Sequence, residues 1–206
     1  MKQQRAVRTR DALIRSAAET FESRGYVQAK LAEISSRAGV SAGALHFHFP
    51  NKAAVAATVE ATAAAALRRA AHTAQLPGMN PLQRLTAASH ALAALLQADV
   101  VARAGFHLSC HPQHRTGVDL RAEWHAWVSR QLIEAEAQHL LAEHVRAHDV
   151  ALAVTAATTG IEALAATDPG WLSPAALTRF WHFLLPCLAR PEALTTLQSD
   201  LRTRTA

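Results

Sequence analysis

Residues 39–43 read GVSAG and match G-x-S-x-G, a pattern that places a nucleophilic serine at a strand-to-helix turn in many hydrolases. That chemistry needs a buried strand immediately before Gly39, together with oxyanion donors, an acid and a histidine base. The preceding residues, LAEISSRA, have helical periodicity and are too polar for a central strand. A serine hydrolase using Ser41 is therefore the distant alternative. The other interpretation makes Ser41 a helix cap.

Twelve histidines raise the question of a metal site. His107, Cys110, His111 and His114 lie close together and offer the imidazole and thiolate ligands that zinc prefers. Their spacing matches no familiar zinc motif, and Pro112 and the loop composition do not enforce a shared face. We therefore expect no metal and no other cofactor, with these histidines at the surface or in a pocket.

The composition favours helices. Half of the residues are hydrophobic, 18% are charged, and glycine and proline number only eight each. Apolar residues recur at helical spacing along the whole chain, and we find no convincing strand. The predicted helices run over about 9–25, 31–38, 41–49, 51–75, from 80 toward a turn-rich passage at 109–117, 119–145, 149–167 and 173–188, with a short helix after residue 191. We predict an all-α fold.

The sequence also predicts a cytoplasmic protein without a membrane partner. Its basic N-terminus is not followed by the apolar segment of a signal peptide. The longest weakly polar stretch, residues 151–167, contains Glu162 and is too short to span a bilayer. Cys110 and Cys187 are too few and too far apart for a disulfide scaffold, which suits a reducing compartment.

The net charge of +5 is concentrated in the first quarter of the chain. Residues 1–52 hold nine lysines or arginines against four acids, whereas the other 154 residues hold twelve of each. A basic module on a neutral body suits a polyanion such as DNA, because phosphate contacts dominate nucleic-acid affinity. A solvated basic face without a partner is the alternative, so the charge distribution indicates DNA binding only if a DNA-binding motif accompanies it.

The motif is a helix-turn-helix centred on Gly39. Ser35 is small, as close packing of two helices requires, and Gly39 permits the left-handed conformation of the turn. Val40 and Leu45 can be buried between the helices, while Ser41 opens the second helix as its cap. The second helix of such a motif reads the major groove of DNA.

Residues 9–55 resemble the DNA-binding domain of the TetR family of bacterial repressors. The match covers GY at 25–26, AEISSRAGVSAGALHFHF at 32–49 and NKAAV at 51–55, so it extends over all three helices. FHF at 47–49 and the later WHFLLPCL are most like the γ-butyrolactone receptor subgroup.

The resemblance implies a two-part homodimeric repressor. Residues 1–52 would form a three-helix DNA-binding domain, and residues 53–206 a larger helical domain for ligand binding and dimerisation. The dimer would bind a palindromic duplex operator and release it when a small molecule, a γ-butyrolactone-like signal, binds the larger domain. A related regulator that answers to another effector, or to none, is the alternative.

The predicted DNA-binding residues depart from the family pattern at several positions. Where the family usually has Thr-Thr, a long residue and Tyr, this chain has Ala29-Lys30, Ala42 and His46, so its recognition helix carries no Lys or Arg. We expect weakened reading of bases, with phosphate affinity from Lys52, Lys30, Arg37 and an N-terminal arm carrying Arg5, Arg8 and Arg10. The complete predicted set is Lys30, Arg37, Ser41, Ala42, Gly43, His46, His48 and Lys52.

In the larger domain the resemblance implies that Trp124 or Trp127 lines the ligand cavity, with Phe106 and His107 as lesser candidates. Two core aromatics are the alternative. The helix at 173–188 is apolar around much of its circumference, which favours a dimer interface over an internal core helix. The residues expected at that interface are Val154, Ile161, Leu177, Trp181, Leu184 and Leu188.

Overall fold

The computed structural model describes residues 2–111, 114 and 117–194. Within these ranges it contains nine named α-helices, a further helical segment at 191–194 and a single 3-10 turn, with no strand beyond one isolated bridge between Leu141 and Ala189. The predicted all-α fold is confirmed. The helices are α1 (Lys2–Gln28), α2 (Leu31–Arg37), α3 (Ala42–His48), α4 (Lys52–Thr73), α5 (Pro81–Ala98), α6 (Val100–Ser109), α7 (Leu120–Ala137), α8 (Ala147–Ala165) and α9 (Pro174–Leu188), and the 3-10 turn spans Pro169–Leu172.

The chain divides into two compact units. The first comprises the described residues within Met1–Arg68 and Ala98–Leu120, and therefore contains α1, α2, α3, most of α4, and α6. The second comprises those within Arg69–Gln97 and Arg121–Ala206. These units are defined by packing, and the functional boundary after residue 52 stays a prediction.

The first unit is held together by apolar side chains from five helices. Leu13, Ile34 and Leu45 are at most 1% exposed and join α1, α2 and α3 in one core. The Ser16 hydroxyl of α1 donates to the Ile34 carbonyl of α2 over 2.8 Å, so a buried polar group finds its partner at the same contact. Ala104 and Leu108 bring α6 into this core.

The second unit is built around Trp181, which is fully buried on α9. Its indole N–H donates to the Ser89 hydroxyl of α5 over 2.8 Å. Two helices begin as the sequence predicts. Ser173 caps α9 through the Ala176 N–H over 3.3 Å, and Asn80 accepts from the Gln83 N–H over 2.9 Å at the start of α5.

Three predicted element boundaries are wrong. Helix α1 begins at Lys2 rather than near residue 9, so the predicted arm is helical. A break at Asp99 separates α5 from α6, because the Asp99 carboxylate accepts from the Val101 and Ala102 N–H groups and caps a new helix. Helix α7 ends at Ala137 rather than near residue 145, followed by His139 at a left-handed φ of 55°.

The C-terminal prediction is tested only in part. Residues 191–194 are helical, and the remainder of the predicted short helix lies outside the described residues. Across the described ranges, no single helix is long and apolar enough to cross a bilayer. Helices α5 and α6 meet the length and composition requirement only together, as a pair broken at Asp99.

Candidate functional site

Ser41 is a helix cap. Its Oγ accepts a hydrogen bond from the Ala44 N–H over 3.1 Å, and its extended backbone (φ −70°, ψ 156°) directs the chain into α3. The preceding turn depends on Gly39, whose φ of 68° is in the left-handed region. The helix α2, rather than a strand, comes before this turn. The nucleophile-elbow interpretation is therefore wrong, and the predicted cap and turn are confirmed.

Helix α3 buries one side and exposes the other. Leu45 is 1% exposed and faces the core, so Gly43 and Phe47, two residues to either side, point in the opposite direction. Phe47 is 82% exposed, and Ala42 and His46 are also exposed. The outer face of α3, defined here by Ala42, Gly43, His46 and Phe47, thus carries an unpacked aromatic ring and no Lys or Arg.

Phe47 is absent from the predicted site residues. The sequence contains the signal, because a residue two positions after the buried Leu45 must lie on the opposite side of a helix. His48, which is in the predicted set, is only half-exposed. Its ring lies 5.3 Å from the Phe47 ring and 6.3 Å from the Phe49 ring, measured between centroids.

The basic residues around α3 differ in how they are held. Lys30 is exposed at the N-terminus of α2, where it makes no side-chain capping bond and no ion pair with any described residue. Arg37 is also exposed, with its Nη1 3.4 Å from Glu19 Oε2. The Arg10 guanidinium lies 5.7 Å from the centre of the Phe49 ring.

Lys52, at the first turn of α4, is engaged with the protein itself. Its Nζ donates to the carbonyl oxygens of Tyr26, Val27 and Ala29 over 2.9, 2.9 and 3.2 Å. The same ammonium lies 4.9 Å from the centre of the Tyr26 ring. A lysine has three N–H donors, and each here has a carbonyl acceptor.

His107, a predicted ligand residue on α6, pairs with a carboxylate of α1. Its Nδ1 lies 2.9 Å from Glu22 Oε1, and Arg103 Nε lies 2.9 Å from Glu22 Oε2. Burial by itself would raise the pKa of Glu22, but the hydrogen bonds from His107 and Arg103 and the charges of both residues outweigh burial and lower it. Phe106, next to His107, is half-buried.

A cavity of about 240 Å³ lies between α1 and α6 beside this ion pair. Its lining is mainly apolar and aromatic, with Glu22 and two histidines at its polar side; the lining residues are Phe21, Glu22, Gly25, Tyr26, Ala104, His107, Leu108 and His111.

Two members of the histidine cluster contact different carboxylates. His107 contacts Glu22, whereas the buried His114 places its Nε2 3.3 Å from Oε2 of the buried Glu60 on α4. No group of three or more His, Cys, Asp or Glu side chains is arranged to hold a metal ion within the ranges that the structure describes.

Trp124 and Trp127 stack on α7 in the second unit. Their ring centroids are 5.4 Å apart with planes 13° from parallel. The Trp124 indole donates to Thr158 Oγ1 of α8 over 2.9 Å, so the stack is held against α8. Both tryptophans are half-buried beside the core of this unit, and their role in ligand binding stays a prediction.

The predicted interface residues fall into two groups. Four of them are buried in the core of the chain itself, namely Val154, Leu177, Trp181 and Leu188. Ile161 and Leu184 are half-buried. The exposed apolar residues of α8 and α9 are instead neighbours of the predicted set: Leu152, Leu164 and Phe183, at 53, 45 and 76% exposed.

Comparisons with known proteins agree with this architecture. Residues 13–59 match the family described as bacterial regulatory proteins, tetR family. The A-factor receptor protein of Streptomyces griseus is 28% identical over 204 residues, which cover 98% of this chain and 71% of that protein.

Two solved structures extend the likeness across the whole fold. A γ-butyrolactone receptor (an ArpA-like protein) is 25% identical with a TM-score of 0.80, covering 98% of this chain and 99% of that one. CprB from Streptomyces coelicolor, solved in complex with its operator sequence, is 27% identical with a TM-score of 0.79, covering 97% and 99%. The chain is thus similar to these receptors along its length, and its match to the tetR family of bacterial regulatory proteins covers residues 13–59, which include the capped α3 and its preceding glycine turn.

Proposed function

We propose that the chain is a homodimeric transcriptional repressor that binds a palindromic operator and releases it when a small-molecule effector binds. The observation that carries this proposal is the outer face of α3, an exposed surface on a helix fixed by its cap and its buried Leu45. A helix held in this way, after a tight glycine turn, has the geometry of a major-groove reader.

Gly43 supports this assignment. A Cβ at this position would have only Ser41 Oγ within 4 Å, at 3.9 Å, so the packing of the chain does not require a glycine. Glycine also loses more conformational entropy on folding than alanine does. The absence of a side chain is then best explained by an external surface that approaches the backbone of α3, as a DNA groove would.

The outer face of α3 would read DNA mainly through shape and apolar contact. Ala42 and Phe47 can contact thymine methyl groups, and His46 and His48 can hydrogen-bond base edges or phosphate. Exposed Lys30 and Arg37 would supply phosphate contacts, with Arg5 and Arg8 added from α1. This distribution gives modest base discrimination on a salt-dependent electrostatic background. We assign DNA binding to residues 1–52 and the other functions to 53–206.

Dimerisation would bring two copies of α3 to successive major grooves of the operator. The surface proposed for it lies on α8 and α9, where Leu152, Leu164 and Phe183 are exposed. Exposed apolar groups on neighbouring helices are typical of an interface between subunits. A repressor of this kind acts on DNA, and we accordingly place it in the cytoplasm.

The proposed effector is a γ-butyrolactone-like molecule, because the similar proteins are named as receptors for A-factor and for γ-butyrolactones. The stacked Trp124 and Trp127 offer an apolar wall with an oriented indole, as ligand cavities commonly do. A regulator with another effector, or none, remains the alternative. Phe106 and His107 are secondary candidates, and His107 is already engaged by Glu22.

The test begins with selection of a bound sequence from a random duplex library, followed by fluorescence anisotropy with the selected DNA. We expect tight binding by the native protein. Gly43→Leu should weaken it strongly, because the added side chain would meet only the DNA, whereas Arg179→Leu, an exposed change on α9, should not. No selected sequence, or equal binding by both variants, would overturn DNA binding through α3.

The effector is tested by adding a synthetic γ-butyrolactone to the complex. Release that is lost in Trp127→Ala, with DNA affinity retained, would support the proposed ligand and its wall. The solvent-facing Ile133→Ala on the same helix is the matched control. Release by another small molecule, or by none, would favour the alternative regulator.

A further inference from the structure

Lys52 occupies an unusual position between two helix ends. It is the first residue of α4, and its side chain reaches back to the C-terminal end of α1. There it donates to three backbone carbonyls within a four-residue segment, those of Tyr26, Val27 and Ala29. A side chain that meets three converging acceptors at 2.9–3.2 Å has little freedom to turn toward another partner.

These carbonyls can accept from Lys52 because α1 ends at Gln28. Lys30 follows with an extended backbone (φ −113°, ψ 139°), so no further turn of α1 supplies N–H partners to them. Carbonyls at a helix C-terminus also carry a partial negative charge, which favours a cation. Lys52 supplies both the donors and the charge.

Tyr26 adds a second contact to the same ammonium. Its ring centre lies 4.9 Å from Lys52 Nζ, within the range of a cation–π interaction. The same ring lies 5.0 Å from the His114 ring, so it is held from a second direction. The Lys52 ammonium thus contacts both the backbone carbonyl and the aromatic ring of Tyr26.

These contacts complete a closed series that links α1, α2, α3 and the start of α4. Helix α1 is joined to α2 by the Ser16 to Ile34 bond, and α2 packs on α3 through Ile34 and Leu45. After α3 the chain passes through the non-helical residues 49–51 to Lys52, whose side chain returns to the end of α1. The direction of α3 relative to α1 is therefore fixed at both of its ends.

We propose that Lys52 is a positioning residue that sets the orientation of α3 through the end of α1, rather than a phosphate anchor. This inference rests on the proposed DNA-binding function. It replaces the sequence-based expectation for Lys52 and leaves direct phosphate contact to Lys30 and Arg37, which are exposed on α2 and its N-terminus.

Lys52→Arg separates the two roles. Arginine keeps the positive charge and binds phosphate at least as well as lysine, so a phosphate anchor would survive the change. Its planar fork cannot match three carbonyls that converge on one tetrahedral ammonium. We expect operator affinity to fall by ~10-fold or more, the effect of losing a charge-assisted hydrogen bond.

The salt dependence of binding provides the second readout, with Lys30→Met as the matched control. Lys52→Met should lower the affinity while leaving the slope of log K against log salt unchanged. Lys30→Met should reduce that slope by about 0.9 per protomer, because a variant with one phosphate contact fewer releases fewer counterions from the DNA when it binds. Circular dichroism and urea unfolding at each variant confirm that the proteins compared are folded.

A third readout needs no DNA and covers the case in which Lys52→Met fails to fold. Tyr26 is the one tyrosine of the chain, so fluorotyrosine labelling gives a single ¹⁹F resonance beside Lys52. We expect Lys52→Arg to shift this resonance and Lys30→Met to leave it in place. Unchanged affinity and an unshifted resonance in Lys52→Arg would overturn the positioning role. Failure of the native protein to bind any selected DNA would instead overturn the proposed function.

Discussion

Gly105 of α6 lies directly against Ala63 of α4. A Cβ at position 105 would be 2.3 Å from the Ala63 Cβ and 2.8 Å from the Val59 carbonyl oxygen. Neither atom belongs to a flexible side chain that could turn away. The backbones of α4 and α6 can therefore approach at this point only because residue 105 has no side chain.

Gly105→Ala should destabilise the protein despite alanine's higher helix propensity. The two helices must separate to admit the methyl group, which disturbs the core around it and costs about 1–3 kcal/mol. We expect a lower urea midpoint with an unchanged slope, as measured by circular dichroism.

Gly160→Ala is the matched control for this substitution. Gly160 also lies inside a helix, α8, but a Cβ there would have no atom of the chain within 4 Å. The change should therefore stabilise the protein by about 0.5–1 kcal/mol. If both substitutions stabilised the protein, helix propensity rather than the close approach of α4 and α6 would determine the effect of Gly105→Ala.

Ser41→Ala should weaken α3 without removing any enzymatic activity. The Ala44 N–H loses its acceptor, at a cost of about 1 kcal/mol in the free energy of unfolding. Ser41→Asp keeps an acceptor and should retain the stability. Its negative charge would face the phosphates, so operator affinity measured by anisotropy should fall more in Ser41→Asp than in Ser41→Ala. The reverse order would place Ser41 away from the DNA.

The core of the helix-turn-helix could be predicted because its determinants are local. A cap, a left-handed glycine and a buried leucine four residues after the cap are visible in Ser41, Gly39 and Leu45, and the structure has all three in those roles. The side chain of Lys52 could not be placed in the same way. Its acceptors lie 23–26 residues earlier in the chain, and nothing local marks them.

The predicted interface residues include both core and half-buried positions for a related reason. Helix α9 is apolar around much of its circumference, so periodicity does not indicate which side meets the rest of the chain. Trp181 is fully buried through contacts that include Ser89, 92 residues away, whereas Phe183 is 76% exposed. The packing of helices that are distant in sequence determines which of the two aromatic side chains is buried.

Because the pKa of Glu22 is lowered, its contribution to the free energy of unfolding should change with pH at values below the ordinary pKa of a glutamate. Its lowered pKa means that the folded state favours the carboxylate, so this contribution is fully present above the unfolded pKa of about 4.3 and is lost as pH falls through the lowered value. Near neutral pH, Glu22→Gln should be less stable than the native protein by ~1 kcal/mol.

The measurement is urea unfolding of both proteins between neutral pH and the acid limit of folding. The difference between them should shrink as the native carboxylate is protonated. Asp11→Asn, an exposed acid on the same helix, is the control and should show no comparable convergence. A difference that stays constant with pH would mean that Glu22 contributes by packing rather than through its charge.

Phe183→Lys should dissociate the proposed dimer while leaving the protomer folded. The ring is 76% exposed, so a lysine there costs the isolated chain little, but a partner helix covering the same surface would have to bury the charge. We expect the dimer dissociation constant to rise by ~30-fold or more, and light scattering to show a shift toward monomer. Phe47→Lys provides a control at another exposed phenylalanine, on α3 and 82% accessible, and should leave the dimer intact. If Phe183→Lys kept the dimer mass at all concentrations, the subunit contact would have to lie on another surface than α9.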